Sequence, residues 1–324
     1  MGARPRGVLR VLRGGGRPRG SRGLAGKTPA ALGGALTYAE DLLSGRVAVV
    51  TGGGTGLGLF TARELASHGA DVALASRGEA RLAAAAAEIR AATGRKVLAI
   101  GADVSDYACV KKLFQRVDET FGRVDILVNG ASANFVRPSE TLTSVRWRKV
   151  VDIVLNGTFH CSVEAGRRML ARGEGAIINL VASYAWTGAP GFAPSASAKA
   201  GVVALTRTLG VEWAARGVRV NAVCPGLIDT QQSRERLWPE EWMRKALLES
   251  VPARRFGREK DVSDAVLYLC APDTRYAAGE VLTVDGGAAT GGVPYLRFLE
   301  KTGIVRRVRS RKDSKKPPPA GNPL

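Results

Sequence analysis

From Arg46 onward, short runs of β-branched residues alternate with longer stretches whose apolar positions recur near every 3.6 residues. Seven such runs predict strands: Val47–Thr51, Val72–Ser76, Val97–Gly101, Asp125–Asn129, Ala176–Val181, Val218–Val223 and Val281–Val284. Between them, helical spacing is predicted over Leu59–His68, Glu79–Ala92, Val110–Phe121, Ser144–Ala171, Ala196–Ala215 and Asp261–Cys270. Strand and helix alternate throughout, so the simplest solution is an α/β fold with one doubly wound parallel sheet, right-handed crossovers and helices on both faces. Residues 40–288 form one predicted domain, since no linker composition interrupts them.

The flanks differ in composition. Residues 1–39 are rich in Gly, Arg and Pro and cannot bury enough apolar surface to offset ordering entropy, so a flexible basic arm is expected. The tail, residues 289–324, includes a short apolar piece, Val293–Leu299, then turns Arg/Lys-rich and ends near Pro317–Pro319, with disorder expected at its end. Charge follows the same division. Of 48 basic and 29 acidic residues, eight basic and no acidic ones fall in residues 1–39, and nine basic against two acidic in residues 288–324. The body is left nearly balanced, so the net charge of +19 says little about the domain, and any nucleic-acid or membrane-surface role would rest on the tails. The tails lack interleaved aromatics, so no specific nucleic-acid partner is expected.

No run of about 18 apolar residues exists to span a bilayer. The four cysteines, Cys109, Cys161, Cys224 and Cys270, lack CxxC spacing and read as buried thiols of a reducing compartment. A cytoplasmic location is expected, or a mitochondrial one if the acid-free arm is a targeting segment. With only His68 and His160, no His-rich metal site is available; His68 reads as a helix C-terminal cap and His160 as a helical residue outside the chemistry.

The strongest local signal is Thr51-Gly52-Gly53-Gly54-Thr55-Gly56-Leu57-Gly58, between the first strand and first helix. Gly52, Gly56 and Gly58 make a GxxxGxG form that suits a phosphate cradle: the backbone turns tightly and a helix N-terminus offers free N–H groups. At the end of the second strand stands Arg77, where an acid would hold a ribose 2′-hydroxyl and an arginine suits a 2′-phosphate, so NADP(H) is favoured over NAD(H). Asp103-Val104 after the third strand is placed to meet the adenine, and Asn129-Gly130-Ala131 after the fourth to lay backbone against the cofactor.

Together with Asn156, Lys199, Asn221, Pro225-Gly226 and Asp285-Gly286-Gly287, these motifs resemble the short-chain dehydrogenase/reductase superfamily over roughly residues 44–288. The resemblance implies a Rossmann-type sheet, hydride transfer with NAD(P)(H), and cofactor contacts from Thr55, Leu57, Pro225, Gly226 and Ile228 as well. It also implies a homo-oligomer, usually a tetramer, with one interface from helices around 106–121 and 144–171. The family's usual tetrad places a tyrosine four residues before the lysine, but here that position is Ser195 and the usual serine is Ala182. A serine hydroxyl is too weak an acid to stand in for the phenol. Tyr184 lies fifteen residues before Lys199, near the end of the fifth strand, and this displacement, with Ala133-Asn134-Phe135 and Asp152–Thr158, closely resembles the 2,4-dienoyl-CoA reductases. That likeness implies Tyr184 and Asn134 as donors to a thioester carbonyl, Lys199 as ribose and charge partner, Ser195 as a polar cofactor contact, and Asn156 in a water link to the lysine.

The implied substrate is an unsaturated acyl-CoA, for which Trp186, Phe192, Leu237, Trp238 and Trp242 are pocket candidates and Arg234, Arg236, Arg244 and Lys245 phosphate candidates. Two alternatives stand beside this reading. One is a carbonyl or 3-oxoacyl thioester reductase using Tyr184 as acid, and the other an NADP(H)-binding interaction protein without turnover.

Overall fold

In a computed structural model, residues 38–236, 238 and 240–290 are described here; the arm before them, the tail after them, Leu237 and Pro239 lie outside. Seven parallel strands form one sheet: β1 (Val47–Thr51), β2 (Asp71–Ser76), β3 (Val97–Gly101), β4 (Ile126–Asn129), β5 (Gly175–Leu180), β6 (Val218–Pro225) and β7 (Val281–Val284). Their order is β3-β2-β1-β4-β5-β6-β7. β1 is flanked by β2 and β4, so the order in which strands are added reverses there and a crevice opens beyond the carboxyl ends of β1 and β4, level with Thr51 and Asn129. The four strands β1, β2, β4 and β5 are buried at nearly every position, as a sheet covered on both faces requires.

The crossover helices are α1 (Gly56–Ser67), α2 (Glu79–Thr93), α3 (Tyr107–Phe121), α4 (Ser144–Val151), α5 (Gly157–Arg172), α7 (Ala193–Ala214) and α10 (Glu259–Cys270); α6 (Tyr184–Thr187), α8 (Gln231–Arg236) and α9 (Glu241–Ser250) lie in the connections after β5 and β6. One cluster packs α1, α2 and α10 on β1 and β2 through Leu65, Leu82, Ile89 and Val266; a second packs α3 and α5 on the other face through Leu113, Phe114, Cys161 and Met169.

Three details differ from the pattern reading. The predicted Ser144–Ala171 helix is interrupted by a π-helical segment, Asp152–Asn156, between α4 and α5. The extra residue of a π-turn displaces the apolar pattern by one position and leaves it regular on either side, which an average spacing over the whole stretch passes over. Tyr184 opens α6, because the fifth strand already ends at Leu180. Cys109 is half-exposed near the start of α3, while the other three thiols are buried as expected.

Beneath the crevice, four side chains form a buried hydrogen-bonded chain. Asn129 donates to Ser162 Oγ (3.0 Å) and to Asn179 Oδ1 (2.8 Å), and Asn179 donates to Thr206 Oγ1 (2.9 Å). It ties β4 and β5 to α5 and α7, and a fully satisfied polar chain of this kind specifies the packing of the elements it joins.

Candidate active site

The Gly52–Gly58 turn carries the geometry of a phosphate cradle. Gly52 has φ +70°, and a Cβ there would stand 2.7 Å from the Gly130 carbonyl oxygen; on Gly58 it would run into the Gly52 carbonyl. The turn is braced by Thr51 Oγ1, which accepts from the backbone N–H of Gly130 (3.1 Å) and Ala131 (3.2 Å). In front lies a cleft of about 300 Å3 lined by Gly52, Gly54, Thr55, Ser76, Arg77, Arg81, Asp103, Val104, Ala131 and Gln232. Thr55 caps α1, so the positive end of that helix opens into the cleft. Backbone too crowded for any side chain beside a helix N-terminus is the fit expected of a bound pyrophosphate, and the residues here meet it.

At the cleft's far end, Arg77 and Arg81 are both exposed, and neither has an acidic partner among the described residues. Arg81 folds back over Gly78, its Nε 3.4 Å from where a Cβ there would stand. Two guanidiniums together without a carboxylate suit a phosphate.

Next to the crevice, Tyr184 and α7 build a second cluster. Tyr184 Oη lies 3.1 Å from Ser195 Oγ, and its ring stacks on Phe192 with centroids 5.7 Å apart. Ser195 is fully buried within the first turn of α7, so it is no helix cap, and one turn on comes Lys199. The ammonium of Lys199 is buried and donates to the Leu180 carbonyl. Burial pulls its pKa down to about 8, offset in part by Cys224. Burial raises the Tyr184 phenol; the Ser195 hydrogen bond works the other way, and Cys224 raises it further. Tyr184 is therefore held as a neutral O–H donor.

Asn134 lies on the loop after β4. Its neighbours Ala133 and Phe135 pack on the cluster that includes Val181 and Ala198, while Asn134 itself is exposed and makes no side-chain hydrogen bond among the described residues. The same loop is tied to the turn before α7 by Arg137 N–H donating to Gly191 O (3.0 Å). Asn134 and Tyr184 thus sit on two segments fastened to each other.

The sheet order, the glycine cradle and the lysine on α7 are joined by a direct match: a family model described as Enoyl-(Acyl carrier protein) reductase covers residues 52–289. The chain belongs to the short-chain dehydrogenase/reductase family. Among curated short-chain reductases, a protein named "Probable 2,4-dienoyl-CoA reductase", (2E)-enoyl-CoA-producing, from Bacillus subtilis (strain 168) is 35% identical over 252 residues, 77% of this chain and 99% of that protein. A peroxisomal 2,4-dienoyl-CoA reductase, (3E)-enoyl-CoA-producing, from Danio rerio is 37% identical over 78% of this chain and 84% of its own length. A gluconate 5-dehydrogenase from Burkholderia cenocepacia J2315, solved in complex with NADP and tartrate, superposes with TM-score 0.73 at 30% identity, over 78% of this chain and 98% of that one. A short chain dehydrogenase from Bacillus anthracis gives TM-score 0.68 at 38% identity, over 75% and 96%. This short-chain reductase is thus an oxidoreductase with a nicotinamide-cofactor cleft, and among the described residues no helix is long and apolar enough to cross a membrane.

Within that family frame, several expected site residues point elsewhere. Asn156 is exposed and donates to Asp152 Oδ1 at 2.8 Å, so it does not face Lys199; Val154, buried with Ala198 and Val202, and Leu155, beside Gly201, are π-segment residues that pack against α7. The side chain of Asn129 is spent in the buried polar chain, leaving its backbone alone for a cofactor. Ile228 is buried in the core, packed against Gly257, and Leu57 packs on the same cluster. Gly226 is required by Asp285, whose Cα would lie 2.6 Å from a Cβ there. Asp103 Oδ1 accepts from Ser105 N (3.0 Å) and Oγ (2.6 Å). Val104 gives its carbonyl to His160 Nδ1 (3.0 Å). His68 does cap α1, its Nδ1 at 2.7 Å from Glu64 O.

On the substrate side, in the stretch 231–249 where the family likeness places a substrate lid, Trp238 is buried and stacks on Phe256 at 5.5 Å, so it packs inward. Arg244 pairs with Asp229 (3.2 Å) and covers the Phe256 ring, and Arg234 also reaches Asp229 at 3.5 Å. Neither is a spare phosphate ligand. Trp186 and Trp242 remain exposed, while Leu237 and the Arg236 side chain lie outside the described residues. Ser76, Arg81 and Gln232 were missed by motif reading. Arg81 follows Arg77 at i+4, a spacing that could have flagged it, whereas Gln232 reaches the glycine turn from a lid 180 residues on, beyond any local signal.

Proposed function

We propose that this enzyme reduces 2,4-dienoyl-CoA thioesters with NADPH, with Tyr184 and Asn134 holding the thioester oxygen. The observation that carries this reading is the Tyr184 hydroxyl 3.1 Å from Ser195, one turn before Lys199: the phenol missing from position 195 is supplied from α6. The names of the two dienoyl-CoA reductase relatives support the substrate class.

When bound, the cofactor supplies a hydride to the far end of the conjugated acyl chain, and negative charge arrives at the thioester oxygen. The protein's task is then to hold that oxygen until protonation at the α-carbon completes the reduction. Tyr184, kept neutral by burial, donates its proton into a hydrogen bond, with the Asn134 amide as second donor. Each such donor contributes roughly 2.7–4 kcal/mol when preorganised. Lys199, mostly protonated at neutral pH, adds positive charge beneath the site and meets the cofactor ribose. Ser195, fully buried, fixes the phenol's position. The raised phenol works against the 3-oxoacyl reductase alternative, because an acid delivering a proton to an alkoxide gains from a lowered pKa. Arg77 and Arg81 hold the 2′-phosphate, which gives the NADPH preference.

The test follows NADPH and NADH oxidation with 2,4-hexadienoyl-CoA and with acetoacetyl-CoA. Turnover of the dienoyl substrate, with NADPH preferred in the wild type and the preference lost in Arg77→Ala with Arg81→Ala, is expected. Turnover of acetoacetyl-CoA alone overturns the dienoyl reading, and no turnover with measurable NADPH binding favours the binding-protein alternative.

The tetramer is part of the same proposal: Val145, Trp147 and Phe159 on α4 and α5 are exposed apolar side chains, and light scattering of the purified protein tests it. Cytoplasmic placement, or mitochondrial placement through residues 1–39, is tested by a fluorescent fusion of those residues.

A further inference from the structure

At the opposite end of the sheet from Tyr184 lies a cavity of about 530 Å3, within the size range of small-molecule sites. β5 separates the two places: Gly175 at its amino end lines the cavity, and its six residues span about 20 Å. Four arginines line it, Arg46, Arg172, Arg219 and Arg275, against two carboxylates, Asp125 and Glu174.

Those carboxylates are already committed. Asp125 accepts from Arg172 (2.8 Å) and Arg123 (2.6 Å), and Glu174 from Arg46 (2.7 Å). Arg219 has no acidic partner among the described residues; it donates to the Leu269 carbonyl (2.6 Å) and, at 3.4 Å, to that of Ala271. Arg275 is exposed, and its Nε donates to Pro272 O (3.1 Å). Burial pulls the pKa of Arg219 down, and the like charge of Arg275 pulls the same way. Two guanidiniums thus face one cavity with carbonyls as their hydrogen-bond partners, and the carboxylate whose charge reaches both, Glu174, is already paired with Arg46. Guanidinium forks are preorganised for bidentate contact with phosphate oxygens.

We propose that this arginine-lined cavity at the amino end of the sheet binds a small phosphate-bearing anion, at a site separate from the nucleotide cleft. Arg275 and Arg219 are its ligands, and Arg46 and Arg172 hold its wall through Asp125 and Glu174.

The experiment titrates the full chain, saturated with NADP+ to occupy the cleft, with inorganic pyrophosphate and, in a second arm, with ADP, by isothermal calorimetry. Saturable binding of either is expected, weakening with salt and falling about tenfold or more in Arg275→Ala, as for loss of one charge-assisted contact. Tighter binding of ADP identifies an organic ester as the ligand, and tighter binding of pyrophosphate an inorganic one. Arg275 is exposed, so the variant is expected to fold; Arg275→Lys, keeping charge without the fork, should retain part of the affinity. No saturable binding in either arm overturns the proposal. So does binding that survives Arg275→Ala, or binding abolished by Arg77→Ala with Arg81→Ala, which would place the anion in the cofactor cleft.

Discussion

Replacing Tyr184 by Phe removes a single oxygen atom and separates the phenol's chemistry from its packing. The stack on Phe192 survives, because the ring is unchanged. What is lost is the donor at the proposed oxyanion and, among the described residues, the side-chain partner of Ser195, which is fully buried. A buried hydroxyl left unpaired costs roughly 1–3 kcal/mol of stability. Loss of one preorganised oxyanion donor costs roughly 2.7–4 kcal/mol in the transition state, or a fall in kcat of about 10²–10³. The charge develops only after hydride arrives, so KM for the thioester should change little. The assay is steady-state NADPH oxidation with 2,4-hexadienoyl-CoA over a range of both substrates, alongside urea unfolding of both proteins. A variant with wild-type kcat and a raised KM would refute the reasoning, because Tyr184 would then only pack against substrate.

Other substitutions probe neighbouring features. Asn156→Ala should leave kcat with the same dienoyl substrate close to wild type, since the side chain is exposed and bonded to Asp152; a large loss would restore it to the lysine's surroundings. Asp125→Asn strips the charge that three arginines share at a buried site, and should cost about 3 kcal/mol or more in urea unfolding. Lys199 has a folded pKa of about 8 against 10.5 for the free side chain, so between those values the unfolded chain binds more protons and stability rises with pH. The burial cost is therefore fully present below about pH 8, and the stability of wild type relative to Lys199→Met should improve from about pH 8 to about pH 10 in denaturation curves; a gap independent of pH would show that the ammonium is not depressed.

Inner strands buried on both faces read as continuous apolar runs, as at Val47–Thr51, and the two edge strands, Val97–Gly101 and Val281–Val284, coincide with their predicted bounds although they are only partly buried. The glycine turn was legible for a local reason, as its crowding involves residues a few positions apart plus Gly130. Side-chain direction was not legible. Asn129 and Asn156 are the right residue types near the right place, but the first turns into the polar chain through Ser162 and Asn179 and the second turns outward to Asp152. Motif spacing names a position along the chain and carries no information on which face of the element that position meets. The lid shows the same limit: Arg244 looks like a phosphate ligand in sequence, and only the fold brings Asp229 and Phe256 against it.

The π-helical segment at Asp152–Asn156 works as a phase adjuster between two helices that would otherwise be one. Each residue of an α-helix advances the face by about 100° and each residue of a π-turn by less, so this turn takes up about one residue more than an α-helical turn while the helix beyond it keeps its face. Excising one residue there would restore a regular turn and leave the stripe Cys161, Ala165 and Met169 against the sheet. A one-residue deletion can therefore be absorbed in residues 152–156, where the same deletion inside α5 would turn everything beyond it by about 100°.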